Sequence, residues 1–210
     1  MSTKNTQDIT CPQCGKASPF TVWDGINTKE NPEMRQAVRD NSAFRFVCPH
    51  CGAKTLLNYN FLYHQQEDRF IIFVLADGSG GEEKYENLLR QFQGYTARLV
   101  TSFNDFKEKL AIRDAGMDDR IVELMKSAVW DRLDQMYSDK HIDEVLFAVN
   151  EEGKHGFIFR SQGKMVTAME FNDDLYRTIR ETAMPAIEKF SENVYVIGRK
   201  WAAETVQKMG

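Results

Sequence analysis

Two pentapeptides of one pattern, Cys11-Pro12-Gln13-Cys14-Gly15 and Cys48-Pro49-His50-Cys51-Gly52, hold all four cysteines of the chain. A spacing of two residues lets both thiolates of a tight turn grip the same metal ion. Two such turns complete a tetrahedral four-sulfur site with Zn–S distances of about 2.3 Å. The flanking residues suit the turn. Proline pre-sets φ, and glycine after the second cysteine accepts positive φ, so N–H groups can fold back onto the thiolates. Those donors offset the net negative charge that four thiolates leave around one divalent ion. Cys11, Cys14, Cys48 and Cys51 are therefore the expected ligands of one structural Zn2+ per chain, in a zinc ribbon. A closed site of this kind has no coordination position for water or substrate, so the metal alone predicts no reaction.

Other chemistries fit the same residues less well. Two disulfides would need an oxidising compartment, and the stretch Met1 to Gln7 is polar, without the apolar segment of a secretory signal. Cys48-Pro49-His50-Cys51 is also a tetrapeptide used by thiol–disulfide oxidoreductases, where a helix N-terminus activates the first thiol. Here Gly52 and then a strand-like run follow, and a second copy has no part in such a site. No catalytic residue is expected. His50, His64, His141 and His155 do not pair at metal spacing, and neither Gly-x-Ser-x-Gly nor His-Glu-x-x-His occurs. Gly78-Ser79-Gly80-Gly81 lacks the Lys-Ser/Thr of a phosphate-binding loop. Asp118, Asp119 and Glu123 can be drawn as a carboxylate cluster, but acids in a first helical turn, favoured by the helix dipole, are the plainer reading.

The elements that must position the cysteines follow from periodicity. Residues 1–8 read as a loose polar lead-in, and Phe20–Asp24 alternates like a half-buried strand. Asn31-Pro32-Glu33 predicts a helix start, with a short helix to about Asp40 presenting Met34, Ala37 and Val38. Phe44–Val47 leads as a strand into the second cysteine turn. Thirty-three residues separate Cys14 from Cys48, more than a ribbon usually has, so the helix is an insertion. Thr55–His64 and Arg69–Ala76 predict a hairpin, the second strand apolar on both faces and hence buried. The row Tyr59, Phe61, Tyr63 reads as core under a sheet rather than a stacking platform for bases.

At this point the chain resembles the CpXC domain family. The resemblance rests on the paired Cys-Pro-x-Cys motifs, Phe-Thr-Val-Trp-Asp at 20–24, Asn-x-x-x-Asn-Pro at 27–32, and the aromatic strand after the second pair. It covers roughly residues 9–115. It implies a prokaryotic origin and supports the metal site, with all four cysteine positions intact, and carries over no activity or catalytic residue.

Past Asp77–Gly81, a Gly/Ser-rich link, the pattern changes. Helices are predicted at 82–92, from Ser102, and from Asp118 with Ile121, Leu124, Met125, Ala128 and Val129 inward. Glu144–Asn150, Gly156–Arg160 and Met165–Phe171 form a three-strand meander. Asn172 caps a helix carrying Leu175, Ile179 and Ala183, which Pro185 should kink or end. Tyr195–Ile197 reads as a short strand, and Arg199–Lys208 as a helix anchored by Trp201, Ala202 and Val206. The fold expected is α+β: a zinc-ribbon-type antiparallel β domain with a short inserted helix at 9–76, a link at 77–81, and a mixed α/β domain at 82–210.

Composition is that of an ordinary globular chain, 42% hydrophobic and 28% charged, with net charge −4. Residues 1–78 carry eight Lys/Arg and eight Asp/Glu, and the acid excess lies beyond them. Nucleic-acid binding draws most of its affinity from phosphate neutralisation, and neither half shows a cation excess. No membrane association and no nucleic-acid partner are expected. Thiolate ligands place the protein in the cytoplasm. A zinc-stabilised module that binds another protein is the leading reading. A nucleic-acid-binding zinc ribbon and an enzyme with a cleft site between the halves are the alternatives.

Overall fold

The computed structural model describes residues 1–76, 81–136 and 141–209. The protein is α+β, and its contacts divide it into two compact units, Met1–Phe103 and Asn104–Gly210.

The first unit is built on strands β1 (Thr3–Thr10), β2 (Ala17–Asn27), β3 (Arg45–Val47), β4 (Lys54–Leu56), β5 (Phe61–Gln65), β6 (Phe70–Val74) and β7 (Thr96–Val100), with helices α1 (Met34–Arg39) and α2 (Glu82–Leu89). Five of the strands form one sheet in the order β1-β2-β5-β6-β7, and β3 and β4 form a separate ribbon. The large sheet is mixed: β1·β2 and β5·β6 are antiparallel, whereas β2·β5 and β6·β7 run parallel. A parallel neighbour needs a crossover connection. The β2-to-β5 crossover contains α1 and the whole β3–β4 ribbon, which accounts for the long interval between the two cysteine pairs. Strand β6 lies between β5 and β7, and its unbroken apolar run buries Phe70, Ile71, Ile72 and Val74.

Several expectations shift by element. Residues 3–8 of the lead-in belong to β1, an edge strand exposed on both faces and therefore without apolar alternation. The run Thr55–His64 breaks into β4 and β5, which belong to different sheets. Phe61 and Tyr63 are buried core, as expected of the aromatic row. Helix α1 begins at Met34, and Asn31 contributes its backbone carbonyl to the Met34 N–H (3.0 Å) instead of a side-chain cap. Residues 77–80 of the expected link lie outside the described residues. The strands flanking it, β6 and β7, pair with each other across an α2 crossover.

The second unit contains α3 (Phe103–Asp114), α4 (Asp119–Met136), the antiparallel meander β8 (Glu144–Val149), β9 (His155–Ser161) and β10 (Lys164–Glu170), then α5 (Asp173–Phe190) and α6 (Arg199–Met209). Ile121, Val122 and Met125 of α4 meet Val145 and Phe147 of β8, Phe157 and Phe159 of β9, and Ile187 of α5 in one core. Asn172 caps α5 through Leu175 N–H (2.9 Å), and the helix runs on through Pro185. Leu175 is exposed, and Tyr176 is buried in its place. On α6, Val206 is exposed while Thr205 is buried beside Trp201 and Ala202. Residues 195–197 form no strand, although Tyr195 and Ile197 are buried and Val196 between them is exposed.

Candidate metal centre

Each cysteine pair sits in the loop of a hairpin. Thr10 pairs with Ala17 at the mouth of the first loop, and Val47 with Lys54 at the mouth of the second. The two loops repeat one hydrogen-bond pattern. Cys11 N–H donates to Lys16 O (3.0 Å) and Gly15 N–H to Cys11 O (2.9 Å), while Cys48 N–H donates to Ala53 O (2.8 Å) and Gly52 N–H to Cys48 O (2.9 Å). Gly15 and Gly52 have φ of +71° and +74°, and a Cβ at either would meet no atom within 4 Å. Glycine is required there for backbone conformation, not for space.

The loops bring all four Sγ atoms within 4.8 Å of one another. Cys11 and Cys51 approach to 3.7 Å across the two hairpins, and so do Cys14 and Cys48. A tetrahedron with metal–sulfur bonds of about 2.3 Å has edges of about 3.8 Å, so these separations fit one ion held by four thiolates. Cys11 and Cys48 are buried, and Cys14 and Cys51 are exposed. Beneath them Phe46 packs against the buried pair, flanked by Ile9, Phe20, Ala53 and Leu57, and the Phe20 and Phe46 rings meet edge-on at 6.0 Å. An apolar floor under the inner thiolates excludes water from one side of the centre.

The thiols are electrostatically unequal. Backbone N–H donation from Cys14, helped by Gln13, lowers Cys11 to about 7 against the opposing effect of desolvation. Cys51 receives the Ala53 N–H, yet desolvation and the neighbouring thiols Cys11, Cys48 and Cys14 push it up to about 12. One anionic sulfur thus discourages the next. A divalent cation would remove that penalty by making every thiolate favourable at once.

A family model described as CpXC protein matches residues 9–126, more than half of the chain. The chain belongs to the CpXC family. The matched span takes in both cysteine loops, the strands β2 to β7, helix α3 and the first part of α4. Neither the curated proteins nor the solved structures contain a match.

Among the described residues the cluster contains cysteines alone, and His50 lies exposed in the second loop. Desolvation holds the His64 pKa below the ordinary value, outweighing Glu67, and its ring contacts Phe92 and Tyr95. His155 lies 3.8 Å from Asp173 and beside the Phe147 ring.

Asp118 lies just before α4, and its carboxylate accepts the Arg120 N–H (3.0 Å), while Asp119 stands in the first turn as the sequence reading expects. Beyond that reading, Asp119 and Glu123 join Glu108, Lys109 and Lys126 in a buried ion network of the CpXC chain. Lys109 Nζ reaches Asp119 at 3.0 Å and Glu123 at 3.2 Å. Lys126 Nζ reaches Glu108 at 2.9 Å and Glu123 at 3.1 Å. Glu108 also accepts the Phe147 N–H of β8. Burial raises the Glu108 pKa, an effect that Lys126 partly counters. Burial would discharge Lys109, but Asp119, Glu123 and Glu108 together raise its pKa above the ordinary value. The sequence signal was available: charged residues interrupt α3 and α4 at positions whose neighbours a helical turn away are core.

Proposed function

We propose that this CpXC protein is a zinc-stabilised protein-interaction module acting in a reducing compartment, the cytoplasm. The observation that carries the reading is the pair of 3.7 Å sulfur–sulfur edges closing four thiols around one point. Four cysteines at that spacing suit zinc, one ion per chain, with Cys11, Cys14, Cys48 and Cys51 as its ligands. The ion leaves no position for a substrate, so its work is to lock two hairpin tips together. Function then falls to the surface those hairpins present, and a partner protein is the ligand that suits it. No helix among the described residues is long and apolar enough to cross a membrane.

A nucleic-acid ribbon is the second reading, and one observation favours it: segments 9–23 and 41–57 contain Lys16, Arg45 and Lys54 and no acid. Affinity capture of the tagged protein from its own cells, with and without nuclease, tests the two. The module reading expects a stoichiometric protein that survives nuclease and is lost from Cys48→Ser. Nuclease-sensitive nucleic acid in place of a protein would overturn it.

A further inference from the structure

Strand β1 is an open edge. It ends the five-stranded sheet, with β2 along one flank and, among the described residues, no strand along the other. Thr3 to Asp8 are exposed on both faces. The ladder with β2 fixes which backbone groups point outward. From Lys4↔Trp23 to Thr10↔Ala17 its register runs without a break. In an antiparallel pair, residues that exchange hydrogen bonds alternate with residues that do not. The Cys11 N–H turns inward to Lys16 O (3.0 Å), so by alternation Ile9, Gln7 and Asn5 turn theirs toward β2 as well. Two details agree. Asp8 lies opposite Pro19, which has no N–H to give, and the Trp23 N–H opposite Lys4 goes to the Tyr59 hydroxyl (3.4 Å). Lys4, Thr6 and Asp8 therefore aim their N–H and C=O groups outward from the open edge.

These three residues also have a self-complementary order of charge. Lys4 and Asp8 stand symmetrically about Thr6 on one face of the strand. The strand holds them about 13 Å apart, too far to pair within one chain. We propose that a second copy of this chain docks on this edge, β1 against β1, antiparallel about a two-fold axis at Thr6. Thr6 then meets Thr6 of the partner subunit, and Lys4 meets Asp8 of the partner subunit, twice by symmetry. Each of these pairs can exchange backbone hydrogen bonds, and opposite charges facing each other across strands add to them. Sliding the pairing by two residues in either direction would set Lys4 against a threonine, Thr10 or Thr6, and leave the charges unmatched. A lysine on an edge strand ordinarily turns other strands away. Asp8 at the symmetric position makes that same charge attractive to a second β1. A contact limited to one strand edge is small, so the dimer is weak and concentration-dependent. It is separate from any partner protein that the hairpin tips bind.

Sedimentation velocity of the full chain purified with zinc, followed into the high-micromolar range, reads the association. The wild type should shift from monomer to dimer. Lys4→Asp alone and Asp8→Lys alone should each weaken the dimer about ten-fold, since both ion pairs become like-charge contacts. Mixing those two variants should restore a dimer as strong as the wild type, because each acid then meets a lysine of the partner subunit. This recovery separates a lost contact from a damaged fold. Thr6→Pro should also weaken the dimer, because proline removes an outward N–H that β2 does not use. A wild type that stays monomeric throughout would overturn the inference and leave the edge to a strand of another protein. So would a dimer that keeps its strength in the single variants, or variants that stay monomeric when mixed. The interaction-module reading stands under each of these results, since capture of a partner from cells decides it separately.

Discussion

Glu108 shows what a single carboxylate does in this fold. Both of its oxygens take Lys126 Nζ, at 3.0 and 2.9 Å, and one of them also accepts the Phe147 N–H. It therefore joins α3, α4 and β8 from a position that is 3% exposed. Removing one partner of a buried ion pair leaves the other charge without compensation, which costs far more than the pair itself contributes. Glu108→Ala should lower unfolding stability by about 3–5 kcal/mol in urea titration. Glu108→Leu combined with Lys126→Met should recover most of that loss, because the orphaned charge goes too. A single-variant cost below about 1 kcal/mol would mean that water reaches the network. The clustering of the four cysteines was legible residue by residue, because two Cys-x-x-Cys turns are the spacing at which thiols converge on one point. The buried ions were legible only in part: charges interrupt the apolar faces of α3 and α4, but Asp119 and Glu123 near the start of α4 look the same whether they face water, Lys109 of α3 or Lys126 on their own helix.

Among the elements, the strands after the first cysteine turn and before the second were legible, and the parallel pairings were not. A strand's apolar pattern records how many of its faces are covered but says nothing about the direction of its neighbour. Phe70–Val74 was thus readable as central, yet its parallel partner Thr96–Val100 lies beyond a helix and a glycine-rich stretch. Edge strand β1 escaped for the opposite reason, because a strand wet on both sides has no alternation to read. Helix α5 carries the element-scale prediction. Proline inside a helix lacks the N–H that would bond the carbonyl four residues back, and its ring crowds that carbonyl. Pro185 is exposed within an uninterrupted α5, so no tertiary contact requires it. Pro185→Ala should therefore stabilise the second unit by about 1–3 kcal/mol, read as a rise in its thermal midpoint. An unchanged or lower midpoint would show that Pro185 is used in the packing of α5.

For the whole molecule, composition pointed to a seam at 77–81, whereas contacts divide the chain between Phe103 and Asn104. A glycine-rich crossover between paired strands and a glycine-rich link between domains have the same composition, and only the pairing of β6 with β7 separates them. Metal removal should respect the contact boundary. Chelation is expected to speed amide exchange in residues 9–20 and 44–57, where the hairpins depend on the centre, and to leave 104–209 protected. Loss of protection along the entire chain would instead make the molecule one cooperative unit. The account depends most on the proposed centre, a closed four-sulfur zinc site formed by the cysteine cluster of two hairpin tips. X-ray absorption at the zinc edge of the purified protein measures that coordination directly. The spectrum should show four sulfur scatterers at about 2.3 Å from zinc and no nitrogen or oxygen neighbour. A nitrogen or oxygen ligand, or a preparation holding well under one zinc per chain after mild purification, would contradict it.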